Sequence, residues 1–566
     1  MAIDIISQMT VRIAVCSAAP LDSTIRAQVA PAQPTTFQGT LRQVQIKTLP
    51  VNSSSIIRQQ DIDRLFADRY NQNLTVESVK AIVEQLNQFY KQQGYELAQV
   101  VNVETLTADG RLQIVVAEGT IEDVQVRFFT RDKSRQDRYV DDLNQPIVGT
   151  TRPFVITREA ETRAGTIFNR QIIERDARRI FGLGLLQDLK LSFQPSRIDP
   201  SKVIVIFDVL ETGKNTAVNG GGTVGSSSGL GAYGSYTQLN LGGNNQTVGG
   251  QVNIGGGGTT YDLKFTDPWI ATDSNRTGYS VSLFQNRSLS NIFYGGKQPV
   301  SLPNTSDSPT VLRSGGGVTF NRPLNGNPFD DRGWRTSAGV QYQKISIQTP
   351  GGQIAPLDAA GKQISFSNTG QDDLLTLQLG LSQDSRNSSA DPTSGEVMRL
   401  GVDRSIPIGN AQISMTKLRG SYTRFVPVEL TNFDKGAQAF VFNIQSGTVF
   451  GNLPPYEAFS LGGVGSVRGY EDGDVGTGRS FVQATAEYRF PVFSFLGGAL
   501  FADYGSDLGT GSSVPGNPAG TRLKPGTGFG YGIGARIQTP IAPVRLDFGR
   551  NNLGENRIQF GFGDRF

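Results

Sequence analysis

The chain has 566 residues, 37% of them hydrophobic, a formal net charge of +3 and no histidine. That charge is too small to point to nucleic acid or an anionic surface as a partner, and the missing histidine excludes His-based triads, most zinc sites and histidine proton relays. The single cysteine, Cys16, cannot form an internal disulfide or a metal cluster. With no phosphate-binding loop and no GxSxG elbow backed by a triad, the sequence predicts no catalytic residue, no metal and no cofactor.

Mean hydropathy is −0.26, and no run approaches the ~18 apolar residues of a membrane helix. A β-barrel gives the same average, because its strands alternate lipid-facing and lumen-facing residues. Glycine accounts for 68 residues, above the usual ~7%, and the excess is concentrated after about residue 213.

Residues 1–36 read as an N-terminal segment ending in the linker composition APAQPTT. An export signal needs a basic start, an apolar core and a small-residue cleavage site. Here the core 11–19 (VRIAVCSAA) is broken by Arg12, while 27–30 (AQVA) has the composition of a cleavage site. Cys16 follows Ile13, Ala14 and Val15 as a weak lipid-attachment candidate. The segment reads as a degenerate or misassigned export region.

Residues 37–120 and 121–212 form two units with one order of elements, βααββ. In the first, 41–46 (LRQVQI) predicts a strand. Ile56, Ile62, Leu65 and Phe66 predict one helix. Val79, Ile82, Val83, Leu86, Phe89 and Tyr90 form the i, i+3, i+4 stripe of a second, stopped at Gly94. Strands at 100–103 and 112–116 flank an Asp109-Gly110 turn. The second unit has a strand at 121–129, a charged loop at 131–153, a helix carrying Ile172, Ile173, Ala177, Ile180 and Phe181, and strands at 189–193 and 203–209. An internal repeat of this kind carries more weight than either copy.

From 213 to 566 the pattern changes to short alternating stretches, such as 261–265 (YDLKF), 279–284 (YSVSLF), 375–379 (LTLQL) and 544–548 (VRLDF), separated by Gly, Asn, Ser and Asp. At ~10 residues per strand plus turns, this length holds about 16 strands. Closing the sheet into a barrel removes its edges. A propeller or β-helix would show a fixed repeat, and none is found. The final stretch 557–566 (RIQFGFGDRF) places Ile558, Phe560 and Phe562 on one face, with Phe566 in the same parity. Arg557, Gln559, Gly561 and Gly563 take the other. Aromatic residues on one side and polar or small ones on the other describe a strand with lipid outside and water inside.

Three motifs carry a resemblance. Residues 466–470 (SVRGY) match a VRG(F/Y) loop, 501–505 (FADYG) a strand motif, and 265–269 (FTDPW) an early barrel motif. In their order along the chain, behind two βααββ units, they resemble the BamA superfamily of outer-membrane assembly and translocation proteins, with POTRA domains before a barrel. The stretches 461–480 and 501–548 are similar to its cyanobacterial and chloroplast Toc-channel branch. That branch usually carries three POTRA domains behind an export signal, and two are visible here. The resemblance implies an α+β POTRA region followed by an all-β, 16-stranded antiparallel transmembrane barrel. It also implies a closing strand bearing Phe560, Phe562 and Phe566, and a Val467-Arg468-Gly469-Tyr470 loop folded into the lumen.

In the family the loop arginine meets an acidic residue on the inner wall. Asp503 is the first candidate partner, and Glu487 and Asp547 are secondary ones. The residue chemistry agrees. Arg468 is always charged, and a carboxylate in a confined lumen accepts two parallel hydrogen bonds from it. A solvated loop arginine is the alternative. Gly213, Gly220, Gly221, Gly222 and Gly225 would weaken the first strand and permit a lateral gate, or else they sit in turns. Sheet edges such as 41–46 or 203–209 would pair with an unfolded client. The resemblance implies insertion of β-barrel proteins into the outer membrane of a cyanobacterial cell or plastid. A polypeptide channel is the alternative, and a passive porin ranks third. Implied partners are unfolded outer-membrane or translocated polypeptides, membrane lipid, and accessory proteins at POTRA domains in the periplasm or intermembrane space. Nucleic acid is not among them. The acidic pair Asp372-Asp373 reads as solvated loop charge.

Overall fold

The computed structural model describes residues 39–566 apart from 50–55, 133, 135, 200–201, 226–228, 256–257, 299, 306, 331, 432 and 540–542. The N-terminal readings, Cys16 and the 27–30 cleavage candidate among them, lie outside the described residues. The chain divides into two compact units, one α+β and ending near Asn215, the other all-β from Thr216 onward.

The α+β unit contains the two modules. The first runs β1 (Gln43–Leu49), α1 (Gln59–Leu65), α2 (Val76–Gln92), β2 (Gln99–Val103) and β3 (Arg111–Ala117). Helix α2 starts on a capping box, in which the Thr75 hydroxyl accepts from Ser78 N and the Ser78 hydroxyl accepts from Thr75 N. Its stripe of Val79, Ile82, Leu86 and Tyr90 is buried with Leu112, Ile114 and Val116 of β3. Strand β3 is central, parallel to β1 and antiparallel to β2.

The second module runs β4 (Thr120–Phe128), α3 (Pro153–Thr157), α4 (Arg170–Phe181), β5 (Leu186–Pro195) and β6 (Lys202–Glu211). Asn169 caps α4 by accepting from Ile172 N. The buried Asp176 of α4 accepts from Glu161 N and Thr162 N, which fixes the loop before the helix. Strand β6 lies between β4 and β5. The stretch 203–209 is therefore not an edge, contrary to the sequence reading: its run VIVIFDV is buried almost throughout, as a central strand's is. The edges are β4 and β5 here, and β1 and β2 in the first module.

The all-β unit is one antiparallel meander of 16 strands. They are β7 (Thr216–Gly225), β8 (Gly229–Leu241), β9 (Gln246–Gly255), β10 (Gly258–Asp267), β11 (Gly278–Leu289), β12 (Thr310–Pro323), β13 (Arg335–Gln348), β14 (Gln371–Asp384), β15 (Gly395–Ile406) and β16 (Met415–Val428), continued by β17 (Gln438–Gly451), β18 (Ser480–Phe493), β19 (Leu496–Ser506), β20 (Thr527–Ile537), β21 (Val544–Asn551) and β22 (Asn556–Phe562). The sheet curls around an interior. Phe566, beyond β22, packs on Val397, Phe425 and Val441 of β15, β16 and β17. The strands alternate: Ile558, Phe560 and Phe562 of β22 are exposed on the outside, while Gln559 between them is buried. Among the described residues no ladder joins β7 to β22. Gly220, Gly221, Gly222 and Gly225 lie within β7, not in turns.

Phe566 departs from the sequence reading. Strand β22 ends at Phe562, and Gly563 takes a left-handed φ of +73°. The chain turns inward there, so Phe566 does not share the outer face of Phe560 and Phe562.

Truncating Ile82→Ala at the centre of the first module is expected to cost about 2–5 kcal/mol. Hydrogen exchange across 76–117 of the full chain measures it, with the ladders of the barrel unchanged.

Candidate functional site

Between β17 and β18 the chain enters the barrel interior. A short antiparallel pair, Phe459–Leu461 with Gly476–Gly478, forms a neck. Leu461, Val467, Tyr470 and Val475 cluster beyond it. This small core orients Arg468, whose side chain is fully buried.

The guanidinium of Arg468 meets three carboxylates. Its Nε donates to Asp503 Oδ2 at 2.7 Å and its Nη2 to Asp503 Oδ1 at 3.1 Å. Its Nη1 donates to Glu487 Oε2 at 2.7 Å and stands 3.6 Å from Asp547 Oδ1. The Arg468 amide also donates to Asp503, at 3.1 Å. Phe501 lies beneath, with the guanidinium carbon 3.5 Å from its ring centre. Glu487, Phe501 with Asp503, and Asp547 are inward residues of β18, β19 and β21, so one arginine clasps three strands. The bidentate, aromatic-backed geometry is one that arginine offers and lysine does not.

The neighbours are held as tightly. Gly469 N donates to Gln559 Oε1 at 3.0 Å, and Gln559 Nε2 donates to Tyr470 O at 2.8 Å. Asn551 Nδ2 donates to Gly469 O at 3.0 Å. Gly469 has φ +89°, and a Cβ there would stand 2.9 Å from the β21 backbone. The structure thus gathers all four loop residues and all three candidate acids at one place.

A model of the Omp85 superfamily domain matches residues 240–566, and one of the POTRA domain, ShlB-type, matches 44–119. The chain belongs to the Omp85 superfamily. It is 28% identical over 526 residues to outer envelope protein 80, chloroplastic, of Arabidopsis thaliana, covering 92% of this chain and 67% of that one. It is 26% identical over 523 residues to protein TOC75-3, chloroplastic, of the same plant, covering 86% and 60%. BamA from Haemophilus ducreyi lacking POTRA domains 1–3 shares the fold at a TM-score of 0.58 and 16% identity, covering 93% of this chain and 99% of that chain. As an Omp85 protein the chain is an outer-membrane barrel with POTRA modules on the periplasmic or intermembrane-space side.

In this Omp85 chain, sequence reasoning missed much of the ionic centre. Arg536 Nη1 donates to Asp547 at 2.7 Å. Arg489 Nε donates to Glu487 at 2.9 Å. Arg565 Nη1 donates to Asp503 at 3.1 Å. Each sits at an inward parity or just past a strand end, but parity alone does not say which arginine reaches which acid.

A second anchor lies before the neck. Glu457 accepts from Arg313 at 2.7 Å and from Lys417 at 3.1 Å. The Tyr456 hydroxyl donates to Asp372 at 2.7 Å. Asp372 also accepts from Phe366 N and Ser367 N. It is a buried residue at the start of β14, not a solvated loop charge; the backbone donors of the 365–370 turn replace its water. Around it Ile292, Phe293, Ile347, Ile413 and Val514, from loops and strand ends, form an apolar cluster.

The wall itself is cut to fit. Strand β20 turns Phe529, Tyr531 and Ile533 outward, and its inward positions 528, 530, 532 and 534 are all glycine. A Cβ at Gly530 would stand 1.8 Å from Arg468 O. The alternating GFGYGIG of 528–534 was the available signal.

Two outcomes are expected. Arg468→Ala removes one partner of a buried network and costs about 3–5 kcal/mol. Arg424→Ala, from an exposed pair with Glu396, costs about 0–1 kcal/mol. Urea titration of the barrel in detergent micelles compares them. Gly530→Val leaves no room for the loop, so trypsin cuts after Arg468 in the folded variant and not in the parent.

Proposed function

We propose that this chain inserts β-barrel proteins into the outer membrane. The POTRA modules collect unfolded clients and the barrel releases them sideways, between β7 and β22. One observation carries this reading: the first and last strands share no ladder among the described residues, while a loop inside the barrel is pinned through buried charge. A loop pinned inside the barrel, beside a seam without a ladder among the described residues, favours a lateral route over an axial one. Gly220, Gly221 and Gly222 make β7 a weakly packed strand. Its unpaired edge offers main-chain groups to an incoming strand, and edge strands β1, β2, β4 and β5 offer the same in the modules. Nothing in this reading needs an enzymatic step or cofactor.

A polypeptide channel is the second reading. Similar identities to outer envelope protein 80 and to TOC75-3 give the two comparable support. It requires the loop to leave the interior, and a tip held by hydrogen-bonded charge can be rehydrated when it does. A passive porin is disfavoured, since a diffusion pore has no use for POTRA modules.

Depletion in the native cell separates the readings. Loss of many unrelated outer-membrane barrels is expected for an insertase. Loss of one secreted or imported class of polypeptide, with resident barrels intact, would replace that reading by the channel.

A further inference from the structure

Among the described residues, strand β22 is paired on one side, by a ladder of seven residue pairs to β21. Its position therefore depends on the contacts made by the last residues of the chain. After the turn at Gly563, Asp564 accepts two hydrogen bonds from Arg489, at 2.8 and 3.1 Å. Arg565 donates to both oxygens of Asp503, at 3.1 and 3.3 Å, and to Ser466 O. The Arg565 side chain is 4% exposed. Phe566 seats its ring on Val397, Phe425 and Val441, and its carbonyl accepts from Arg386 at 3.1 Å.

Asp503 thus carries two guanidiniums, Arg468 from the loop and Arg565 from beyond the closing strand. Ser466, two residues before Arg468, is bound by the same Arg565. Gln559, on β22 itself, brackets Gly469 and Tyr470. We infer that Asp564, Arg565 and Phe566 form a latch that joins the closing strand to the VRGY loop through the shared Asp503. Arg565 is a positioning residue: it fixes the loop through Asp503 and Ser466, and the loop in turn holds the inward face of β22 through Gln559. Loop release and displacement of the last strand are then one coupled transition. The coupling is reciprocal, because both groups bind one carboxylate and each state of one biases the other. This goes beyond the choice between insertase and channel, and holds for either.

Hydrogen exchange of the full-length protein in detergent micelles tests it. Arg565→Ala is expected to speed amide exchange at both 466–470 and 556–562 by about 5- to 150-fold, the usual range of a coupling between sites. The ladder of β13 with β14 stays unchanged, and Arg565→Lys, which keeps a charged donor for Asp503 but not the fork that also reaches Ser466, restores part of the protection. Arg468→Lys is expected to speed exchange in 556–562 in return. The proposal is overturned if Arg565→Ala loosens only 563–566, or if it loosens all strands equally. It is also overturned if Arg468→Lys leaves 556–562 as protected as in the parent protein.

Discussion

A single guanidinium shared among acids on three strands is the constraint on which the barrel interior depends. Arg468 has no exposed surface, so its charge exists there only because Asp503, Glu487 and Asp547 surround it. Removing any of these leaves a buried charge short of a partner. Those acids face inward by the period of two of their strands. Their strands lie side by side, with only the glycine-lined β20 between β19 and β21, because the meander runs without interruption from β18 to β22. The loop therefore reports on the register of the wall: a slip by one residue would turn Asp503 outward and expel the arginine.

Burying that charge requires close approach, and the sequence provides it by removing side chains. The inward glycines of β20 let the Arg468 carbonyl lie on the strand backbone, while the same strand keeps Phe529, Tyr531 and Ile533 outside. Packing and lipid exposure thus make opposite demands on one strand, and strict alternation satisfies both. The second anchor at Glu457 uses the same chemistry with Arg313 and Lys417. The neck of the loop is thereby held at its root and at its tip.

The architecture was legible because it rests on periodicity. Helical stripes such as Val79, Ile82 and Leu86 read directly as a core face, and alternation through 213–566 gave the sheet and its strand number. The tip of the loop was reached through resemblance: VRGY is a short motif, and the family's arginine–acid contact, not a local signal, pointed to Asp503, with Glu487 and Asp547 as secondary candidates. Other features depended on folding over long separations. Nothing local marks Glu457 as the partner of Arg313, 144 residues away, or distinguishes Asp372 from its half-buried neighbour Asp373. The position of β6 at the centre of its sheet arises from a parallel pairing with β4 across the whole module. Phe566 was misread because parity was carried past Gly563, where a left-handed turn ends the strand. Parity is a property of continuous extended chain and says nothing beyond the first break.

A plug made of charge differs in kind from a plug made of grease. An apolar segment withdrawn from the lumen would expose its surface to water at ~25 cal/mol per Å². A charged tip loses its partners on leaving but regains hydration, and the acids left on the wall regain theirs as water enters behind it. Replacing buried ion pairs by hydrophobic residues is often neutral or stabilising, so stability alone does not account for this many buried arginines. On the proposed reading, release of the loop exchanges this paired state for a hydrated, separated one. Placing Arg565 and Arg468 on one carboxylate makes the movement of a strand and the movement of a loop draw on that same exchange.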